Sequence, residues 1–155
     1  MKVLLSIKPE FASKIFDGSK KYEYRRTIFK RGEVATVVVY ASNPIRRVIG
    51  EFEIGEILHE EPEELWAQTC SHAGITKQRF MEYFMNRTKG YAIGIKETRK
   101  YETPLSLDEF MLSWPPQSFK YLYTHPSGYF GNAAESSSTA NLSPATLESL
   151  HQLRE

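Results

Sequence analysis

The sequence has few of the features that secreted or membrane-spanning proteins need. Its 155 residues include one cysteine, Cys70, which cannot form an internal disulfide and is interpreted as a small hydrophobic residue, buried or half-buried. The N-terminal segment MKVLLSIKPEF has an apolar run too short for a signal peptide. No stretch approaches the roughly 20 apolar residues of a membrane span. We therefore expect a cytoplasmic protein without membrane contact.

Several common motifs of catalytic and metal sites are also missing from the sequence. The four histidines are His59, His72, His125 and His151, and none is paired with another histidine or a cysteine at a spacing typical of metal ligands. His72 follows Cys70 by two residues, but a single C-x-H has no partner pair. Neither a Gly-rich phosphate loop nor a G-x-S-x-G turn occurs. We expect no metal and no cofactor.

Charge is unevenly distributed along the chain. The formal net charge is only +1. Residues 1–50 carry eleven Lys/Arg and four Asp/Glu (11 − 4 = +7), whereas residues 51–110 carry seven and twelve (7 − 12 = −5). This asymmetry predicts one basic face on an otherwise balanced protein.

The hydrophobic pattern predicts a mixed chain of strands and helices in the order β-α-β-β-β-α-α-β-α-β. Apolar β-branched runs such as VATVVVYAS predict strands, and RRVIGEFEIGEIL predicts a long strand with a bulge or bend at Gly50 or Gly55. Asp17-Gly18 ends the first helix and Thr76 caps a later one. Because strands and helices do not alternate regularly, we predict an α+β fold with a bent, barrel-like sheet.

The composition changes after about Phe130. The segment GNAAESSSTANLS is small and polar, and Ser143-Pro144 is typical of the start of a short C-terminal helix. We expect one domain over residues 1–125 and a polar tail over residues 126–155, which could contact a protein partner.

The segment GSKKYEYRR, residues 18–26, places one carboxylate inside a basic run. On a strand, Lys21, Glu23 and Arg25 would share one face, and the two tyrosines would share the other. A carboxylate in that position could orient an arginine toward phosphate or accept a proton. The alternative is a solvent-facing strand with cross-paired charges.

Gly18, Lys20, Glu23 and Arg25 form the pattern G-x-K-x-x-E-x-R, which resembles the signature of the ASCH domain, a branch of the PUA-like superfamily. The segments LLSIKPEFASKIFDGSKKYEYRR, VVVYASNPIRRVIGEFEI, ELWAQTCSHAGITKQRFMEYF, YAIGIKE and PPQSFKYL resemble successive parts of that family, over roughly residues 1–123. The resemblance implies a small, bent, mixed β-barrel flanked by helices. It also implies a cleft beside the first helix and RNA binding or RNA-linked chemistry.

The resemblance leaves several functions open. The first is an RNA- or modified-nucleoside-binding module, acting through a basic cleft in RNA-linked or transcription-related regulation. The second is a hydrolase on a nucleoside or RNA: an amidohydrolase or a ribonuclease. Family amidohydrolases remove the acetyl group of 4-acetylcytidine with a lysine, a threonine three residues later and a separate glutamate; Lys20 matches the lysine, but Glu23 stands where the threonine would be. The third is a protein-interaction domain without a nucleotide ligand.

Eight side chains are candidates for ligand binding around the expected cleft. They are Ser6, Lys8, Lys20, Glu23, Arg25, Arg26, Tyr40 and Ser42. If the protein is an enzyme, Lys20 and Glu23 are the candidate catalytic residues. We expect Glu23 to hold Lys20 and Arg25, which meet anionic or carbonyl groups of the ligand. Tyr40 could stack on a base, and Trp114, before two prolines, is interpreted as a packing lid.

Overall fold

A computed structural model describes residues 1–124 and 130–131, whose strands form one mixed sheet. The strands are β1 (Lys2–Ile7), β2 (Tyr22–Arg25), β3 (Thr36–Ala41), β4 (Arg47–Glu60), β5 (Gly90–Leu105), β6 (Phe119–Thr124) and β7 (Phe130–Gly131). The helices are α1 (Pro9–Asp17), α2 (Pro62–Thr69) and α3 (Lys77–Tyr83), with 3₁₀ helices at Cys70–His72 and Leu107–Phe110. The predicted α+β class is confirmed. The last helix of the predicted order, which lies between the final two predicted strands, is limited to the second 3₁₀ helix.

The strand order in the sheet is β2-β5-β4-β3-β1-β6-β7. Among the strands that the structure describes, only β1 and β3 pair in parallel, and the other neighbours are antiparallel. A parallel pair needs a crossover connection, and here α1 and β2 lie between the two strands in the chain. This crossover brings the end of β1, the start of α1 and strand β2 to one side of the molecule.

The sheet is bent but does not close into a barrel, so the predicted barrel is wrong. Within residues 1–124 and 130–131, β2 and β7 remain as its two edges. Three shifts of register interrupt the pairing of β4 with β5, and two of them fall beside Gly50 and Gly55, where a bulge or bend was predicted. A Cβ at Gly50 would lie 2.6 Å from both the Phe16 ring and the Arg99 carbonyl oxygen, so glycine is required at this bend.

Hydrophobic residues cover both faces of the central strands. On β1, Val3 and Ile7 face a cluster completed by α1, whereas Leu4 faces a second cluster on the opposite side. A third cluster packs α2 and α3, through Leu65 and Phe80, against β2 and β5. The helical segment is therefore fixed beside β2.

The predicted helix ends are confirmed where local geometry sets them. Gly18 follows α1 in the left-handed region, with φ of 86°, which glycine adopts without strain. The Thr76 side chain accepts a hydrogen bond from the Arg79 backbone N–H at the start of α3. These two ends direct the chain into β2 and α3, which border the same cleft.

Two burial predictions are wrong. Cys70 is exposed, because Thr69 takes the inward position at the end of α2 and its hydroxyl donates to the Leu65 carbonyl oxygen. Trp114 is 81% exposed and is not a lid. The predicted tail helix lies outside the described residues. Among those residues, the helices are too short or too polar to span a membrane.

Candidate functional site

A cleft of about 430 Å³ opens between the end of β1, the start of α1, strand β2 and helix α3. It is lined by Ser6, Ile7, Lys8, Phe11, Lys20, Glu23, Tyr24, Arg25, Ile75, Arg79, Glu82 and Tyr83. Its lining includes four cationic and two anionic side chains. Three of these charges, Lys20, Glu23 and Arg25, belong to one short stretch of chain and form what we call the charged floor.

Lys20 is the most buried charge of the charged floor, at 2% exposure. Its Nζ donates to the Ala73 carbonyl oxygen at 2.7 Å and lies 4.6 Å from the centroid of the Tyr24 ring and 5.2 Å from that of Phe11. Burial lowers the pKa of Lys20 to about 8, although the neighbouring Glu23 raises it. Lys20 is therefore mostly protonated at neutral pH, but its pKa lies close enough to that pH for it to release a proton.

The loop before α3 holds Lys20 in place. Gly74 has φ of 65°, and a Cβ there would lie 2.7 Å from the Cβ of Lys20. Lys14, on α1, donates to the Gly74 carbonyl oxygen at 3.0 Å. Two lysines thus bind adjacent carbonyls of this loop, and the missing glycine side chain makes room for the Lys20 stem.

Glu23 is the anionic member of the charged floor and is 7% exposed. Burial raises its pKa, and the cations Lys20 and Arg25 act against that rise. The carboxylate lies 3.9 Å from Arg25 Nη1, and no described residue donates a hydrogen bond to it. Its oxygens are therefore open to accept a proton or a hydrogen bond from a molecule in the cleft.

Arg25 spans the open side of the sheet. Its Nη2 donates to the Ser118 carbonyl oxygen at 2.9 Å, and its Nη1 donates to the Ser6 carbonyl oxygen at 3.4 Å. The guanidinium therefore links β2 to β1 and to the segment before β6, where no backbone pairing joins them. It is fixed beside Glu23 with a defined orientation.

Helix α3 forms the outer wall of the cleft. Arg26 donates from Nε to the Tyr83 carbonyl oxygen at 2.7 Å, and its guanidinium carbon lies 4.4 Å from the centre of the Tyr83 ring. Arg79 forms two hydrogen bonds with Glu10 on α1, at 2.8 and 3.1 Å. Burial raises the pKa of the Tyr83 hydroxyl. These contacts tie the wall to the elements on both sides of the cleft.

The structure brings five of the eight predicted residues to this cleft. They are Ser6, Lys8, Lys20, Glu23 and Arg25. Arg26 instead packs against Tyr83. Tyr40 and Ser42 line a second cavity of about 630 Å³, which shares Ser6 with the cleft. Tyr40 is 4% exposed within the second hydrophobic cluster, so little of its ring is accessible for stacking on a base.

Sequence reasoning did not find the helical wall of the site. Arg79, Glu82 and Tyr83 line the cleft, but none of them is among the eight predicted residues. A basic residue, an acid and an aromatic within one short helix could have indicated a binding surface. Which way these side chains face, however, depends on how α3 packs against the rest of the molecule. Within residues 1–124 and 130–131, no three His, Cys, Asp or Glu side chains gather as metal ligands would.

Comparison with known proteins identifies the family of this chain. The ASCH domain model matches residues 5–107. An ASCH domain-containing ribonuclease of Zymomonas mobilis is 30% identical over 123 residues, covering 77% of this chain and 82% of the relative. The crystal structure of ASCH from Zymomonas mobilis has a TM-score of 0.73 at 28% identity, covering 79% of this chain and 87% of that one.

A further relative is large ribosomal subunit protein uL22 of Ureaplasma parvum, which is 26% identical over 120 residues. This chain spans only 39% of that relative's length. The match of the domain model to most of the chain, together with the Zymomonas relative, agrees with the resemblance found in the pattern from Gly18 to Arg25. The chain belongs to the ASCH domain family and has its PUA-like fold.

Proposed function

We propose that this protein binds single-stranded RNA in the cleft and cleaves its phosphodiester backbone. The charged floor carries this proposal, because burial lowers the pKa of Lys20 and raises the pKa of Glu23 within one small cleft. Titratable groups that their surroundings shift toward neutral pH are typical of acid–base sites. The name of the Zymomonas relative, a ribonuclease, supports RNA as the substrate class.

The size and charge of the cleft favour the binding of one unpaired nucleotide. Its volume of about 430 Å³ lies within the range of small-molecule sites. A base inside a duplex could not enter without leaving its stack, so single strands are the expected substrate. Cationic Arg25 and Lys20 suit a phosphate group, and the rings of Phe11 and Tyr83 offer apolar surface to a base or sugar.

The charged floor can supply both proton transfers of RNA cleavage. The Glu23 carboxylate takes the proton of a ribose 2′-hydroxyl, whose oxygen attacks the adjacent phosphorus. The bond from phosphorus to the 5′-oxygen breaks, and the Lys20 ammonium gives that oxygen its proton. Arg25 stabilises the extra negative charge on the phosphate oxygens. The products are a 2′,3′-cyclic phosphate and a 5′-hydroxyl, and proton exchange with water restores both side chains.

Binding without turnover, in RNA-linked or transcription-related regulation, is the second candidate. The observation that favours it is the burial of Lys20, which is 2% exposed and whose Nζ already donates to the Ala73 carbonyl oxygen. A lysine held in this way can attract a phosphate through its charge while staying in place. This candidate predicts salt-dependent RNA affinity without a product.

One incubation separates these candidates. Single-stranded RNAs, matched duplexes and 4-acetylcytidine are incubated with wild type, with Glu23→Gln and with Lys21→Ala, which changes an exposed lysine beside the site. Mass spectrometry then measures retained ligand and products. We expect cyclic phosphate ends from single strands with wild type and Lys21→Ala, but not with Glu23→Gln.

The other outcomes are equally specific. Retention without product supports the binding module, and loss of acetyl from the nucleoside supports an amidohydrolase. If no RNA or nucleoside is retained or changed, the cleft does not serve a nucleotide, and a protein-interaction domain becomes the better interpretation. Cleavage by Glu23→Gln at the wild-type rate would contradict the proposed role of Glu23.

A further inference from the structure

The second cavity lies beside the cleft and has no role in the chemistry above. It is formed by the segment that follows β3 and by the segment 113–117. Its walls are largely apolar, with Trp114 and two prolines on one side. Polar side chains, among them Ser42 and Asn43, also line it. An apolar slot with a few hydrogen-bonding groups suits a flat heterocycle such as a nucleobase.

Ser6 joins this cavity to the cleft. Its hydroxyl donates to the Pro116 carbonyl oxygen at 2.7 Å, on the cavity side. Its own carbonyl oxygen accepts from Arg25, on the cleft side. One residue therefore separates the two spaces and contacts a lining residue of each. An RNA strand whose phosphate lies at Arg25 would pass Ser6, which lines both spaces, to reach the second cavity.

Trp114 has the exposure that a stacking platform needs. It is 81% exposed, although a tryptophan side chain is usually buried to a large extent. Asn43 accepts a hydrogen bond from Arg46 Nε at 3.1 Å, so a cation is held on the same cavity lining. An exposed aromatic and an oriented cation on the lining of one cavity are the combination that single-strand-binding surfaces use.

We infer that the second cavity is a base-stacking subsite for the nucleotide next to the one in the cleft. This inference rests on the proposed function, because it assumes that RNA occupies the cleft. The occupant is one nucleotide of the strand. Its base stacks on the Trp114 indole, its backbone passes Ser6, and its phosphate faces Arg46. The subsite makes binding depend on oligonucleotide length and only weakly on sequence, because every base has a face that can stack.

The test measures binding with cleavage blocked. The probes are a 2′-O-methyl mononucleotide and the matching tetranucleotide, since both lack the attacking hydroxyl. Trp114→Ala should weaken tetranucleotide binding roughly 5- to 150-fold, the loss expected for one base–aromatic stack. It should leave mononucleotide binding unchanged. Trp114→Phe should retain most of the affinity, and Met85→Ala, which changes an exposed side chain outside both spaces, should have no effect.

A spectroscopic measurement reports on the same contact. The sequence has two tryptophans, so Trp66→Phe leaves Trp114 as the one indole emitter. The tetranucleotide should quench its fluorescence with the same midpoint as binding. The inference is overturned if the tetranucleotide binds without quenching Trp114 and binds Trp114→Ala with the same affinity as wild type. That result would leave the proposed function intact and would fit a cavity that serves a protein partner. If neither probe binds and wild type does not cleave RNA, the proposed function fails and the inference fails with it.

Discussion

Replacing Lys20 with methionine should stabilise the protein while abolishing cleavage. Lys20 is charged at neutral pH in a site where it is 2% exposed. Methionine has a similar length, carries no charge, and can keep contact with the Tyr24 and Phe11 rings through its sulfur. A buried charge that lowers stability and supports function is a known feature of active sites.

The magnitude follows from the pKa of Lys20. A fall from 10.5 to about 8 corresponds to about 3 kcal/mol of lost stability when the group is protonated in both states. Methionine removes this penalty but leaves the Ala73 carbonyl oxygen without its donor, which costs about 1–3 kcal/mol. The net expectation at pH 7 is a variant that is more stable by up to about 2 kcal/mol.

The sign of the pH dependence distinguishes this explanation from simple repacking. Because the folded pKa of Lys20 lies below its unfolded value, the unfolded chain binds more protons between pH 8 and 10.5. The free energy of unfolding of the wild type therefore rises with pH in that window. Between pH 7 and 9.5 the penalty should fall by about 2 kcal/mol, so the advantage of Lys20→Met should shrink by the same amount.

Urea denaturation of both proteins at pH 7 and 9.5 provides the measurement, with RNA cleavage assayed in parallel. Lys21→Met is the matched control, because that neighbouring lysine is exposed, and its stability should change by less than about 0.5 kcal/mol. The reasoning is refuted if Lys20→Met is less stable than wild type by more than about 1 kcal/mol at pH 7. It is also refuted if the difference is independent of pH, or if cleavage persists.

Three further expectations concern the pH profile of cleavage, the loop at Gly74 and the C-terminal tail. The initial rate of RNA cleavage should rise as Glu23 loses its proton, which happens above pH 4.5 because burial raises its pKa. The rate should fall again as the pH passes about 8, where Lys20 loses its proton. A rate that does not change from pH 4 to 10 would exclude both roles. Gly74→Ala should lower the free energy of unfolding by about 1–3 kcal/mol through its left-handed backbone and the contact with Lys20, and urea titration showing an unchanged midpoint would contradict this. Deleting residues 132–155 should leave one cooperative thermal transition in calorimetry, and its loss would mean that the tail belongs to the core.

Element order was predictable because it depends on local chemistry. Gly18 ends α1 because a left-handed residue is needed there, and Thr76 begins α3 because its side chain binds a free backbone N–H. The bends beside Gly50 and Gly55 also follow from residues that lack a side chain within a strand. Each of these features is set within a few residues of sequence.

Features that depend on distant contacts were not predictable from one sequence. Whether the sheet closes into a barrel depends on how β2 lies relative to strands far along the chain. In the described residues, β2 remains an open edge of the sheet. The deep burial of Lys20 depends on Gly74, which belongs to a loop between two helices. Trp114 was taken as a lid because an apolar residue before two prolines usually packs, whereas its exposure depends on how segment 113–117 crosses Ser6.

The way Arg25 spans the open side of the sheet also affects the entropy of ligand binding. A free arginine side chain loses about 2 kcal/mol of conformational entropy when it is fixed around a phosphate. Here the carbonyl oxygens of Ser6 and Ser118 already fix the guanidinium, so this loss occurs when the chain folds. A ligand that reaches Arg25 meets a cation that is already oriented, and more of the interaction free energy appears as affinity.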